Sequence, residues 1–193
     1  MNEMAIVLAS ASPRRRELLE KVGVENLVII PAKSELPVPQ GASPDEAVRL
    51  ISLGKAREVA EQCPPGDVII AADTVVSIDG RILGKPQGEG AAADMLRELS
   101  GRVHEVYTGV AVIRGGEERV ECERTAVRFR PLGEDEIAAY VATGEPMDKA
   151  GAYGAQGLGC LFVEGIEGDF FNVMGLPMCR LGRILSDMGV KLL

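Results

Sequence analysis

The chain has no tryptophan, and only four phenylalanines and three tyrosines among its 193 residues. A core must therefore rest on Val, Leu, Ile and Ala, and aromatic platforms for single-stranded nucleic acid are scarce. There is one histidine, His104. It excludes a multi-histidine metal centre and, with no nucleophile elbow in the sequence, a Ser-His-Asp hydrolase. It is expected to be structural or exposed. The four cysteines, Cys63, Cys122, Cys160 and Cys179, form no Cys-x-x-Cys pair. Free buried thiols in a reducing compartment are expected rather than a zinc site. No apolar run approaches the roughly 20 residues that span a bilayer. The first ten residues show no basic leader or cleavage pattern. A cytoplasmic protein without membrane contact is expected. No Gly-x-x-x-x-Gly-Lys-Ser/Thr segment occurs, which argues against a P-loop.

What is present is a chain of 46% hydrophobic residues with a formal net charge of −8. The length suits one large domain or a two-lobed one. An acidic balance makes a poor nucleic-acid binder, because neutralising phosphates drives that affinity. An anionic small molecule would need a local basic pocket that overrides the global field.

Such a pocket is legible at Leu8–Leu19. Ala5 to Ala9 reads as a strand, and Ser10-Ala11-Ser12-Pro13 turns it into a helix whose first turn carries Arg14, Arg15 and Arg16. Ser12 is expected to cap the helix, with Pro13 at its first position. Free backbone N–H groups, two hydroxyls and guanidinium forks then converge where a phosphate fits. The alternative is solvated first-turn arginines. Leu27 to Pro31 reads as a second strand. Ser43-Pro44-Asp45-Glu46 is a capping box opening a helix to about Gln62, with Ala47, Leu50, Ile51 and Val59 toward the core. Lys55 on that helix reads, on pattern alone, as a solvated lysine.

Asp67 to Ser77 is a near-continuous apolar run, as in a strand covered on both faces. Asp73 and Thr74 interrupt it. A carboxylate there is expensive unless paired, metal-bound or open to a cleft, so Asp73 is the first candidate functional acid; the alternative is an acid paired with an arginine. Asp79-Gly80 predicts a hairpin turn, and Lys85 follows Gly84 ahead of a proline, in phosphate-facing fashion or as a plain turn. Glu89–Leu99 reads as a helix, Val103–Ile113 and Arg119–Arg130 as a hairpin, and Leu132–Ala142 as a helix. A loop over 143–157, carrying Lys149 and Gln156, suits either flexibility or ligand wrapping. Phe162–Ile166 and Phe170–Met174 read as strands, and Gly175-Leu176-Pro177 starts the last helix.

Ser10-Ala11-Ser12-Pro13-Arg14-Arg15, Ala72-Asp73-Thr74-Val75, Gly84-Lys85-Pro86, Ser100-Gly101-Arg102, Gly144–Gly151 and Gly175-Leu176-Pro177 occur in the order seen in Maf proteins, which the chain resembles over nearly its whole length. The resemblance implies one α/β domain over residues 1–193, an extended, twisted mixed sheet flanked by helices, with two lobes and a central cleft. It implies a pyrophosphatase that converts nucleoside triphosphates, dTTP and UTP in this branch, to the monophosphate and pyrophosphate with Mg²⁺ or Mn²⁺. By position, Asp73 resembles the proton acceptor and a metal ligand, with Glu35 as a second ligand. Many members have Asp-Glu where this chain has Ser34-Glu35. Arg14, Thr74 and Gln156 match the substrate-choosing positions; Ser10, Arg15, Lys55, Lys85 and Lys149 match the phosphate-contacting set. A homodimer is implied by resemblance only. The competing reading is a non-catalytic nucleotide-binding regulator of septum formation.

Overall fold

The computed structural model describes residues 4–24, 26–33 and 36–192. Among them, seven strands form one mixed sheet. β1 (Ile6–Leu8) runs parallel to β2 (Leu27–Ile29) on one side and to β3 (Val68–Ile78) on the other. Parallel neighbours need crossovers, and helices supply them: α1 (Pro13–Lys21) before β2, and α2 (Pro44–Ala60) before β3. β4 (Arg81–Leu83) returns antiparallel to β3 through Asp79 and Gly80, both at positive φ, the twist-matched hairpin turn. Then come α3 (Glu89–Leu99), β5 (Val103–Arg114), β6 (Glu117–Phe129) and α4 (Glu134–Ala142). Short 3-10 turns, β7 (Val163–Glu167), α5 (Phe170–Met174) and α6 (Met178–Asp187) complete the chain. The sheet order is β2-β1-β3-β5-β6-β7, with β4 beside β3 and β7 antiparallel to β6.

The chain divides into two compact units. The first comprises Met1–Asp73, Thr108–Glu123 and Gly175–Leu193. In its core Val7, Ala9, Ile69, Ala71 and Ala111 pack with Ala56 and Val59 of α2. The helix starts where the capping box places it: Ser43 Oγ accepts from Glu46 N–H, and Glu46 Oε2 accepts from Ser43 N–H. Leu50 does not reach the core; it is 55% exposed, while Val48, Ser52 and Ala56 are buried. Ala47, Ile51 and Val59 are buried as expected, and only Leu50 falls outside the stripe. Gly109 on β5 explains how closely the helix lies: a Cβ there would stand 2.2 Å from the Val48 carbonyl oxygen.

The second unit comprises Thr74–Tyr107 and Arg124–Met174. Its core joins Val76, Leu96, Leu99, Val127, Ile137 and Phe162 around Phe129. Few as they are, the aromatics concentrate here, with Phe129 edge-on to Tyr153 at 4.7 Å and Tyr140 edge-on to Phe162 at 4.9 Å. His104 is structural: it is buried beside Phe129, and its Nε2 is hydrogen-bonded to the Tyr153 hydroxyl at 2.7 Å. Burial pushes its pKa down to about 4.

Two expectations change. Phe170–Met174 is helix rather than strand. Asp169 Oδ1 accepts from Phe171 N–H, an end-cap that a strand would not use. Asn172 then donates to the Val106 carbonyl and to Thr125 Oγ1. The cysteines are free, but Cys160 and Cys179 are exposed and Cys63 and Cys122 only half-buried.

Gly109→Ala should destabilise the protein by about 1–3 kcal/mol or more, since backbone rather than a flexible side chain must move; urea denaturation measures it. The His104 pKa lies below its unfolded value of 6.5. As pH falls through that value, the unfolded chain takes up a proton that the folded chain refuses. Stability present above pH 6.5 is therefore lost toward pH 4. Unfolding free energies taken at about pH 7 and about pH 4.5 should differ less in His104→Asn than in the wild type, by on the order of 2 kcal/mol.

Candidate active site

In the first unit the site grows from the end of the central parallel pair. Ala9 N–H donates to the Ile70 carbonyl (2.8 Å), prolonging the Leu8–Ile70 pairing past the end of β1. The next residue on that side is Ser10; three residues past Ile70 on β3 is Asp73. The turn into α1 is closed by Ser10, not by Ser12 as expected. Ser10 Oγ accepts from Ser12 N–H (3.2 Å) and from the Arg15 guanidinium (3.0 Å), while Ser12 occupies the cap position without a side-chain cap bond. Arg15 Nε also donates to the Gly175 carbonyl at 2.7 Å, tying the start of α1 to the segment before α6. Burial lowers the Arg15 pKa to about 10, the Asp73 charge opposes that shift, and Arg14 adds to it. Arg15 thus stays cationic at neutral pH. Arg14 is half-buried in the first turn of α1. Arg16 is turned outward and pairs with Glu20.

Asp73 follows five buried residues of β3, Val68 to Ala72. Its partner is a lysine. Lys55 Nζ donates to Asp73 Oδ1 at 2.6 Å, with the two side chains 22% and 18% exposed. The helix lysine that pattern alone made a solvated one is instead the compensating charge for the strand carboxylate. The capping box sets where α2 begins, and α2 carries Lys55 to the middle of β3. Lys55 pairs with Asp73, the Asp73 charge also acts on Arg15, and Arg14 stands near enough to Arg15 to perturb it; among these described residues the cations outnumber the carboxylate in a chain of net charge −8.

The remaining candidates belong to the second unit. Thr74 is half-buried on β3. Lys85 is exposed after β4. Gly151 N–H donates to the Gly84 carbonyl at 3.1 Å, bringing the Lys85 and Lys149 segments together. Lys149 Nζ donates to the Glu145 carbonyl and to Asp148 Oδ1, each at 2.7 Å. Gln156 is exposed, with no hydrogen bond to another described residue. Glu35 lies outside the described residues.

Two anchoring groups escaped the sequence reading. One is the Gly175 carbonyl that holds Arg15. The other is Glu145, whose carboxylate accepts from the Tyr140 hydroxyl and from Leu158 and Gly159 N–H. The available signal was a charged residue flanked by Gly144 and Pro146 in a glycine-rich loop. No group of three His, Cys, Asp or Glu able to hold a metal occurs among the described residues.

The fold and this cluster define an α/β protein with a cationic turn beside a strand-borne acid. The chain belongs to the Maf family, whose profile, described as Maf-like protein, matches residues 5–188. It is 52% identical over 187 residues to a dTTP/UTP pyrophosphatase of Moorella thermoacetica, covering 96% of this chain and 95% of that one. It is 49% identical over 184 residues to a dTTP/UTP pyrophosphatase of Symbiobacterium thermophilum, covering 95% and 94%. A HAM1 protein structure from Coxiella burnetii shares the fold at a TM-score of 0.52 and 17% identity, over 96% of this chain and 100% of that one.

A double-mutant cycle on Lys55→Met and Asp73→Asn should return a coupling of about 1–3 kcal/mol, between that of an exposed pair and a buried one. A coupling near zero would mean that the carboxylate does not depend on Lys55.

Proposed function

We propose that this protein hydrolyses dTTP and UTP to the nucleoside monophosphate and pyrophosphate, by attack of water at the α-phosphorus. The observation that carries the chemistry is the Lys55–Asp73 pair in the middle of β3, in the unit that also holds Ser10, Arg14 and Arg15. Relatives about half identical to the chain bear the pyrophosphatase name.

Breaking a phosphoanhydride requires neutralised phosphate charge, an oriented water and a stabilised leaving group. Arg14, Arg15 and Lys55 supply positive charge to the triphosphate, Arg15 from a guanidinium already anchored by Gly175. Ser10 holds the turn. Asp73 orients the water and accepts its proton as the water oxygen bonds to the α-phosphorus. The bond from the α-phosphorus to the α–β bridging oxygen breaks, and pyrophosphate leaves with the electron pair. Lys85 and Lys149 are the second unit's phosphate contacts. Thr74 and Gln156, with Arg14, set the choice of base.

A divalent cation fits this donor set in one way. Asp73 is the described carboxylate; its Oδ1 is engaged by Lys55, and magnesium keeps waters and takes substrate phosphates when protein ligands are few. Bound Mg²⁺ or Mn²⁺ would supply further charge neutralisation on the phosphates. Glu35 is the second proposed ligand.

The whole chain is taken as one functional domain, acting as a homodimer in the cytoplasm. The homodimer rests on family resemblance. No helix among the described residues is long and apolar enough to cross a membrane, in keeping with that location.

Asp73→Asn should fold normally and lose turnover by about 10²–10⁴-fold, the range typical of a lost general base. Steady-state release of pyrophosphate from UTP and dTTP measures it. Undiminished release by the variant would remove Asp73 from the role. Orthophosphate with a nucleoside diphosphate as products would place attack at another phosphorus.

A further inference from the structure

The loop that carries Gln156 is built around a single carboxylate. Gly157 N–H donates to the Gly154 carbonyl at 3.2 Å, closing a turn with Ala155 and Gln156 at its centre. Both flanks of this turn lead to Glu145. On the near side, Gly154 N–H donates to the Tyr140 hydroxyl at 3.1 Å, and that hydroxyl donates to Glu145 Oε1 at 2.9 Å. On the far side, Leu158 N–H donates to Glu145 Oε2 at 2.9 Å and Gly159 N–H to Oε1 at 3.2 Å. Glu145 is itself fixed. Its N–H donates to Thr143 Oγ1 at 3.2 Å, and its carbonyl accepts from Lys149 at 2.7 Å.

The fit leaves no spare room. A Cβ on Gly157 would stand 2.4 Å from Glu145 Oε2, and one on Gly159 2.9 Å from the Tyr140 hydroxyl oxygen. One on Gly154 would stand 2.7 Å from Lys149 Cε. Gly157 is thus required by the carboxylate it lies against, and Gly159 by the Gly154 backbone and the Tyr140 hydroxyl, rather than by flexibility. Burial opposes the Glu145 charge, but the Leu158 and Gly159 N–H groups and the Tyr140 hydroxyl outweigh it and hold the carboxyl below the usual range. The result is a rigid turn presenting one outward amide side chain, that of Gln156.

We propose that Glu145 is a positioning residue for base selection: with Tyr140, it clamps the backbone on both sides of Gln156 and so fixes the amide that reads the pyrimidine. This rests on the reading of Gln156 as a base-selecting residue. Pre-setting the amide removes an ordering cost that each binding event would otherwise carry. Glu145 therefore acts on affinity and discrimination rather than on the chemical step.

Glu145→Gln keeps the size of the side chain but turns an amide donor toward groups that themselves donate. It should raise KM for UTP and dTTP by about tenfold while kcat stays within about twofold, the split expected when uniform binding is lost. The preference for UTP over CTP should fall with it. Tyr140→Phe should move the same quantities in the same direction and by less. The cycle with Gln156→Ala is decisive: adding Glu145→Gln to Gln156→Ala should raise KM little further, because both changes remove one interaction. Additive effects in that cycle, or an equal loss of kcat on every nucleotide, would overturn the proposal. A readout without substrate separates it from the pyrophosphatase reading. Amide hydrogen exchange at Leu158 and Gly159 should accelerate in Glu145→Gln with the melting temperature little changed. Unaltered exchange refutes the clamp, whereas absence of UTP and dTTP turnover in the wild type refutes the pyrophosphatase reading.

Discussion

The ion pair between Lys55 and Asp73 is the constraint around which the first unit is arranged. A strand buried from Val68 to Ala72 is interrupted by a carboxylate, and a carboxylate there needs a charge partner or a path to solvent. It has a measure of both, with a lysine at 2.6 Å and 18% of its side chain exposed. The lysine can reach it only if α2 lies close and in the right phase. The capping box starts the helix at Pro44, and a glycine at 109 lets its backbone rest on β5. Deep packing of Ala47, Val48 and Ala56 then holds the helix in place. Parts of the structure with no chemistry of their own thus set the distance on which the chemistry depends.

The two units use opposite charges to solve a similar problem, how to hold a turn without regular secondary structure. Before α1, a cation does it: Arg15 spans the Ser10 hydroxyl and the Gly175 carbonyl, using acceptors that a short strand and a turn leave over. After α4, an anion does it: Glu145 gathers two N–H groups and a phenol. Hydrogen bonds to a charged group are about twice as strong as neutral ones. A single residue can therefore order several neighbours in either place. Lys149 links the second arrangement to its surroundings, since its ammonium rests on the Glu145 carbonyl and the Asp148 carboxylate.

Much of this was legible in the residues. The Ser43–Glu46 box, the Asp79-Gly80 turn, the helix at Glu89–Leu99 and the central strand through Asp73 are each specified by local chemistry, and each stands as read. What failed was what tertiary context decides. Phe170–Met174 is a short apolar run, which periodicity cannot assign, and the Asp169 cap makes it helical. Leu50 has the composition of a core residue but the wrong angle around α2. Ser12 had the right type for a cap, yet Ser10 was better placed to accept. Lys55 and Asp73 are 18 residues apart, so no local pattern could pair them. The same holds for Arg15 and Gly175, separated by 160. Asp73 itself was found because its misfit is local: a charge inside an apolar strand needs no structure to be noticed.

The charge distribution settles how an acidic chain can receive a polyanion. A net charge of −8 repels a triphosphate at long range. At physiological ionic strength, however, the screening length is about 8 Å, so distant exposed carboxylates count for little. Many of those carboxylates are also compensated where they stand. Arg97 with Glu134, Arg130 with Glu136, and Arg57 with Glu118 are ion pairs that cancel at any distance larger than their own span, and Arg180 offsets one of the two charges of Glu121 and Glu123. Around Ser10 the balance differs: Asp73 pairs with Lys55, and its charge also acts on Arg15, which has Arg14 for a neighbour. Among the described residues Asp73 offsets one of these charges and leaves the others in excess. The field a ligand meets there is set by that local surplus, and the same acid that tempers it is the proposed proton acceptor.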